Sequence, residues 1–450
     1  MRVIKYLPAS LVLLFTLFAQ ISLLAQGNCS FRQGDVIHAG DRPVSVVAAD
    51  FDQDGHEDFA TLNADNLDFV FLFLNDGTGC FTGFLVDSPG QTFNLSLVAE
   101  DIDGDSDVDL TLVSFTQIFF YYNLGAGKFS RANSAQIPNG FITALKYRDI
   151  DNDGDNDMIF LDLVFDEIVV LTNDGGGKFS VSQVISDLAD GENFELGDFD
   201  GDNDIDLALT LDDLDSNTDD LVQLYSNDGK GGFSPTDSIC IPTGSSGVAT
   251  GDLDGDSDLD LVVTYRFDDT ALVLSNEGEG RFEKIDFLIT GDEPNSLQLV
   301  DIDGDQDLDV VNTNLSKDPF EQPSISLFLN SGDAKFSFPI CVPTAPQPGP
   351  FAVADWDGDG AEDLITVHRL ENILQLYHTD CDVLLGDMNQ DNSLDLLDVE
   401  AFVGALSNNS FQVEADINQD CSINLLDVAL FVELLNGNEL LRFCRPNGFD

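Results

Sequence analysis

The sequence predicts an all-β, seven-bladed propeller followed by a small α-helical calcium-binding domain, and three observations carry that prediction. An Asp-rich cluster recurs seven times at intervals of 48 to 54 residues, opening at Asp50, Asp101, Asp149, Asp198, Asp252, Asp301 and Asp355. A short apolar run precedes each cluster and two more follow it, the second ending in a turn. After Asp382 the rhythm changes to two acidic loops only 29 residues apart, each running into an amphipathic segment.

Each repeat reads as four short antiparallel strands. The first is clearest at 44–49, 95–99 and 296–300, just before a cluster. The turn after the third reads Asn75-Asp76-Gly77-Thr78-Gly79-Cys80-Phe81 and returns at Asn173 to Phe179, Asn227 to Phe233 and Asn276 to Phe282, with looser copies at Asn123 and Asn330. Asn-Asp-Gly between apolar runs signals a hairpin, because Gly and Asn accept positive φ. The third strands (69–74, 168–171, 272–274) are apolar on both faces, as sheets stacked between sheets require, and the recurring Phe is read as core packing. Four strands of about five or six residues plus loops fill roughly 50 residues, and seven such sheets fall in the usual range of about four to eight blades. The seventh unit stops at Cys381 without its Gly-Phe strand, so residues near 31–38 are expected to complete blade seven. Cys29 and Cys381 would then flank the cut hairpin, where a disulfide closing so long a loop stabilises by about 4 kcal/mol in the chain-entropy picture.

The clusters carry the chemistry. Asp occupies positions 1, 3, 5 and 9 of a nine-residue loop: Asp50, Asp52, Asp54 and Asp58; Asp101, Asp103, Asp105 and Asp109; Asp149, Asp151, Asp153 and Asp157; Asp198, Asp200, Asp202 and Asp206. The series continues with Asp252, Asp254, Asp256 and Asp260; Asp301, Asp303, Asp305 and Asp309; and Asp355, Asp357, Asp359 and Asp363. Four carboxylates in so short a loop repel one another, whereas Ca²⁺ takes about six to eight hard oxygen ligands at roughly 2.3–2.6 Å; Mg²⁺, with its stricter octahedral geometry, fits less well. Position 6 is Gly55, Ser106, Gly154, Asn203, Ser257, Gln306 or Gly360, mostly types that turn easily and let the position-7 carbonyl join the ligands. A solvated acidic tract is the plain alternative, and seven in-register copies, each followed by an apolar run, argue against it.

The D-x-D-x-D-G-type loop, the apolar strand and the N-D-G-x-G-x-F turn together resemble the FG-GAP/VCBS repeat, the unit of integrin-α-like propellers, over residues 28–383. The resemblance implies loops between the first and second strands of each blade, on one face of the disc, with about seven mainly structural calcium ions. Two departures stand out: Asp also fills position 7 in loops two to six (Asp107, Asp155, Asp204, Asp258, Asp307), and the last repeat lacks its turn.

In the C-terminal segment Asp387, Asn389, Asp391, Asp395 and Asp398, then Asp416, Asn418, Asp420, Asn424 and Asp427, take positions 1, 3, 5, 9 and 12 of a twelve-residue calcium loop, implying two more ions. Segments 396–406 and 425–435 follow with apolar residues at helical spacing, among them Phe402 and Phe431. These paired half-EF-hands resemble a type I dockerin over residues 385–438, with 439–450 as a tail; the resemblance implies attachment to a cohesin-type protein. Asp at position 12 favours that family over a calmodulin-like sensor. Leu396-Leu397 and Leu425-Leu426 stand where relatives carry partner contacts, and position 6 is Asn392 or Cys421 instead of Gly. The leucine pairs read either as a partner-facing surface or as packing against the propeller.

Arg2, Lys5 and the apolar stretch 11–25, with small residues at Ala25 and Gly27, read as a signal peptide over residues 1–27, hence a secreted or cell-surface protein; no later run is long enough for a transmembrane segment. With 83 acidic and 18 basic residues and a net charge of −65, nucleic acid and anionic membranes are poor partners. Seven cysteines suit an oxidising compartment; Cys421 pairs with Cys444, or Cys381 does, and Cys80, Cys240 and Cys341 are read as small buried residues.

The expected function is a non-catalytic, calcium-rigidified adhesion or binding propeller attached through its dockerin to a scaffold or cell surface. Its ligand, an extracellular protein or glycan, is expected on the face opposite the metal loops, near Arg266, Lys317, His368 and Arg369, where the longest connections run at 212–220 and 312–323. The alternative is an extracellular polysaccharide-degrading hydrolase or lyase, since dockerins often ride on such enzymes and so many carboxylates offer an acid and a base. No Ser-His-Asp, zinc or phosphate-loop motif appears, and His38, His56, His368 and His378 show no ligand spacing.

Overall fold

The computed structural model describes residues 30–380 apart from 65–68, 91–93, 115–116, 133–134, 137–139, 187, 189–190, 212–219, 317–322 and 338, together with Val399, Phe402, Val403, Val428 and Phe431. Residues 31–380 form one compact unit of seven antiparallel sheets. Blade one gives the plan, its strands Pro43–Ala49, Asp58–Asn63, Phe69–Asn75 and Phe81–Asp87 pairing in chain order. The first strands of the blades are Pro43–Ala49, Asn94–Glu100, Ile142–Arg148, Gly191–Gly197, Ser245–Gly251, Pro294–Val300 and Pro348–Ala354. Each touches the first strand on either side, and the cycle closes between the last and the first, so these strands build the inner wall of a seven-bladed propeller.

Burial follows from that stacking. Every second strand, from Asp58–Asn63 to Asp363–His368, is buried over all six residues. Fourth strands such as Phe81–Asp87 and Phe282–Ile289 lie at the rim with mostly exposed side chains. Between blades three and four the core packs Ile159, Leu161, Phe194, Leu207 and Leu209; between blades seven and one it packs Phe59, Phe73, Ile365, Leu374 and Trp356. Each such side chain taken out of water contributes about 1.5–3 kcal/mol. The seams between blades are therefore the cores of the molecule.

Two sheets depart from the plan. In blade two the outer edge is broken into Phe129–Arg131 and Ala135–Gln136, both paired with Gln117–Asn123. Blade seven takes its fourth strand from the other end of the chain, Ser30–Ile37 pairing with Ile373–Asp380.

The cysteines correct the sequence reading. Cys80 and Cys240 carry free, exposed thiols, because a turn and a rim strand present them to solvent. Cys341 is buried, but it is disulfide-bonded, and its partner lies outside the described residues. Cys29, Cys381, Cys421 and Cys444, with the pairings expected of them, also lie there. So do both twelve-residue loops of the C-terminal segment. Its five described residues are helical, and Phe402 and Phe431, at matching places in the two amphipathic segments, stack at 4.0 Å with 9° between ring planes. Among the described residues no helix is long and apolar enough to cross a membrane.

Candidate metal loops

Each acidic loop joins the first strand of a blade to the second, and its shape is set by two left-handed residues. Position 6 has positive φ in all seven copies: Gly55 (92°), Ser106 (73°), Gly154 (95°), Asn203 (70°), Ser257 (78°), Gln306 (79°) and Gly360 (92°). Position 4 does too, at Gln53, Gly104, Asn152, Gly201, Gly255, Gly304 and Gly358. Sequence reasoning saw the first and missed the second, although Gly and Asn fill six of those seven places. Two such reversals in three residues curl the loop so that alternate carboxylates converge.

The acidic positions then divide into distinct tasks. The position-1 carboxylate caps its own loop: Asp50 accepts from the N–H groups of Asp54 (3.1 Å) and Gly55 (2.9 Å), and Asp301 from Gly304, Asp305 and Gln306 at 2.8–3.1 Å. Position 5 bends back to the position-7 N–H, as Asp54 does with His56 at 3.0 Å. Position 9 is buried and clamps two segments. In blade one Asp58 Oδ2 accepts from the Phe51 N–H at 3.0 Å and Oδ1 from the Asn75 N–H at 2.7 Å. The Oδ1 bond recurs in all seven blades, with Thr379 replacing Asn in the last. Each oxygen keeps a second lone pair.

Position 3 points inward. Oδ1 of Asp52, Asp103, Asp151, Asp200, Asp303 and Asp357 is buried without a hydrogen-bond partner, six orphaned anionic oxygens at one place in the repeat. In blades one to four, oxygens of positions 1, 3 and 9 lie within 4.8 Å of one another. Burial pushes the position-9 carboxyls up to about 7 in Asp58, Asp109 and Asp309 and to about 6 in Asp157, Asp206 and Asp260. Position 3 also rises, first through burial and then through the position-5 carboxylate beside it, as in Asp103 and Asp200. A buried orphan oxygen facing other carboxylates costs free energy that a divalent cation removes. The donor set, all hard oxygen, fits Ca²⁺.

The same loops tie the blades together. The turn Asn was read as a positive-φ residue; instead the following glycines take that role, Gly77 at 77° and Gly79 at 75°. Asn75 is a buried clip, its Nδ2 donating to Glu57 O in its own loop (3.2 Å) and Trp356 O in the preceding blade's loop (2.9 Å). Asn123, Asn173, Asn227, Asn276 and Asn330 repeat both bonds, reaching Phe51, Ile102, Ile150, Phe199 and Leu253 O at 2.7–2.9 Å. One signal was available: Asn survives in the looser turns, Asn123-Leu124-Gly125 and Asn330-Ser331-Gly332, where Asp does not. Position 2 supplies the apolar half of the seam. Trp356 meets Phe81 of the next turn at 5.9 Å, Phe51 meets Phe129 at 5.8 Å and Phe199 meets Phe282 at 6.0 Å, so the recurring Phe is core.

On the expected ligand side Arg266 and Arg369 are exposed, but His368 is not a surface cation. It is fully buried against Thr366 Oγ1 (2.7 Å), and burial lowers its pKa to about 4. Lys317 and most of the long connections lie outside the described residues. Arg42, Gln347, Arg369, Leu370 and Asn372 line a cavity of about 520 Å³.

A seven-bladed propeller with an Asp-rich loop in every blade is thus the class that fold and site define. The FG-GAP-like repeat family matches residues 50–112, 101–160, 198–263 and 252–312, and the chain belongs to that family. No curated protein matches the sequence. Among solved structures, BBS1N from a complex with ARL6DN is similar with a TM-score of 0.54 at 11% identity, covering 77% of this chain and 96% of that one. A protein from Lactobacillus plantarum reaches 0.52 at 16% identity over 68% and 85%. A catalytically inactive virginiamycin B lyase from Staphylococcus aureus reaches 0.50 at 13% identity over 78% and 99%. At such identities the likeness is one of fold alone.

Proposed function

We propose that the chain is a secreted, non-catalytic binding propeller, rigidified by calcium in its loops and attached to a scaffold or cell surface by a calcium-dependent dockerin. The observation that carries the calcium reading is the orphaned position-3 oxygen, repeated in six loops and lying, in blades one to four, beside the position-1 and position-9 carboxylates. Asp50, Asp52 and Asp58, and their equivalents, would hold the ion, with position 5 and the position-7 carbonyl available beside them. The cation supplies charge neutralisation at the seams; the chain's own residues supply the fit, since position 9 and the turn Asn lock each loop to its sheet and its neighbour. This gives a stiff disc whose far-face connections are free to vary, and ligand contacts belong there.

The stacked Phe402 and Phe431 support two helices packed face to face, as paired half-EF-hands require, and so support the dockerin reading. Capture experiments from secreting cells, run with the full mature chain and with a chain ending before Leu384, test it. A cohesin-type partner should be retained by the full chain in calcium and released by chelator; retention by the truncated chain, or in chelator, overturns attachment through this segment. For the propeller, a glycan and extracellular-protein array should give binding without new reducing ends or unsaturated products, and turnover of any glycan would replace this reading with the enzymatic one.

A further inference from the structure

Blade seven departs from its six siblings one residue before the clip position. At that register blades four and five place Ser226 and Ser275, whose hydroxyls lie 3.4 and 3.5 Å from the position-3 carboxylates of Asp200 and Asp254. Blade seven places His378 there. Its Nδ1 stands 3.2 Å from Asp357 Oδ2 and 3.1 Å from Asp363 Oδ2, and the three groups offer ligand atoms within 4.8 Å of one another. In the other six loops the position-9 Oδ2 is tied to the position-2 N–H; in blade seven its partner is this imidazole.

We propose that the blade-seven loop is a mixed imidazole–carboxylate site, formed by His378, Asp357 and Asp363, that takes a borderline divalent cation of the Zn²⁺ kind. The proposal rests on the loops being cation sites, and differs in the ion. Calcium and magnesium seek oxygen, whereas imidazole suits zinc and its neighbours. Zn²⁺ accepts both imidazole nitrogen and carboxylate oxygen, three protein ligands leave a fourth position for water, and separations of about 3.0–3.5 Å are those of atoms sharing an ion at roughly 2.0–2.2 Å. An imidazole N–H alone would satisfy the Oδ2 atoms but leaves Asp357 Oδ1 buried and bare. The ring is also seated by design of the closure: a Cβ on Gly34, in the strand arriving from the other end of the chain, would come within 2.8 Å of His378 Cδ2 and 2.9 Å of Nε2. Glycine there makes room for the imidazole, and Gln375 Nε2 pins the same residue through its carbonyl at 3.1 Å.

The test uses the full mature chain in millimolar calcium, titrated with Zn²⁺ by calorimetry and with Co²⁺, whose visible bands report nitrogen ligation. One equivalent should bind in the presence of excess calcium, and His378→Ala should weaken it by about 100-fold or more, since even residues behind a ligand cost about 10–100-fold. Asp357→Asn should act likewise, and Gly34→Ala, by displacing the ring, should weaken binding at least about tenfold. Absence of Zn²⁺ and Co²⁺ binding under calcium overturns the proposal, as does binding that His378→Ala and Asp357→Asn leave unchanged while circular dichroism shows both folded. Calcium is counted separately on the same samples: a wild-type chain that binds zinc but no calcium sinks the calcium reading alone, and one with seven propeller calcium ions and no zinc sinks this inference alone.

Discussion

Blades one to six and blade seven solve the same problem with different parts. In the first six, Asn at the end of the third strand spans two loops, and the position-9 carboxylate ties down the position-2 backbone. In blade seven, Thr379 stands in the Asn register and reaches only Glu362 O in its own loop, His378 faces the acidic cluster, and the sheet is completed by Ser30–Ile37. The difference teaches that the amide clip goes with the complete hairpin turn and not with chain continuity: Asn75 closes even the seam where the two ends meet, whereas blade seven, whose own turn is cut, carries Thr379 at that register.

The largest test of that comparison is removal of the ions. A site with a dissociation constant of about 10⁻⁴ M in about 1 mM calcium adds roughly 1.4 kcal/mol, so seven add about 10 kcal/mol. Calorimetry should therefore show the melting temperature falling by more than about 10 °C in EGTA. Equal melting in EGTA and in calcium removes the premise that cations hold the loops. The pH trend sharpens it. The position-9 carboxyls, including Asp363 pushed up to about 6 and Asp58 to about 7, hold protons more tightly folded than unfolded. The stability these groups contribute in the ion-free protein is therefore fully present below about pH 4 and is lost as pH rises through 6 to 7. In calcium the slope reverses, because binding needs the carboxylates deprotonated. Parallel slopes in urea titrations across pH 5–8 would count against the assignment.

Smaller effects locate the seams. Trp356→Ala, which empties the contact with Phe59 and Phe81 between blades seven and one, should cost about 3–5 kcal/mol. Asn227→Ala leaves the carbonyls of Ile150 and Ile205 without their amide and should cost about 2–4 kcal/mol in urea unfolding. Thr379→Ala, lacking any bond of that kind to a second blade, should cost about 1 kcal/mol; equal losses at Asn227 and Thr379 would erase the distinction between the two kinds of blade. Arg131→Gln, at an exposed ion pair with Asp87, should change stability by less than about 1 kcal/mol.

Much of this was legible because the repeat is written in periodic chemistry. Seven Asp clusters set the blade number, apolar runs on both faces set the stacked sheets, and turn-prone residues at position 6 announced the left-handed backbone. Within one cluster, sequence treats four Asp residues alike; only the fold separates a loop cap, an inward orphan and a buried clamp, because burial and backbone N–H direction are set by neighbouring strands. Asn75 and His378 were misjudged for the same reason. Their partners Trp356, 281 residues away, and Asp357, across a hairpin, come near only when the sheets stack and the ring shuts. Cys341 shows the limit from the other side: composition marks it as a small buried residue, and covalent pairing depends on which cysteine the closed chain brings to it. By itself, then, the chain determined a repeated, acidic, seven-sheet wheel, since periodicity and local turn chemistry are properties of neighbours in sequence. The clips between blades, the roles within each loop and the contact of His378 with Asp357 and Asp363 were decided by tertiary structure, because these hydrogen bonds and ion pairs join atoms that only stacking makes adjacent.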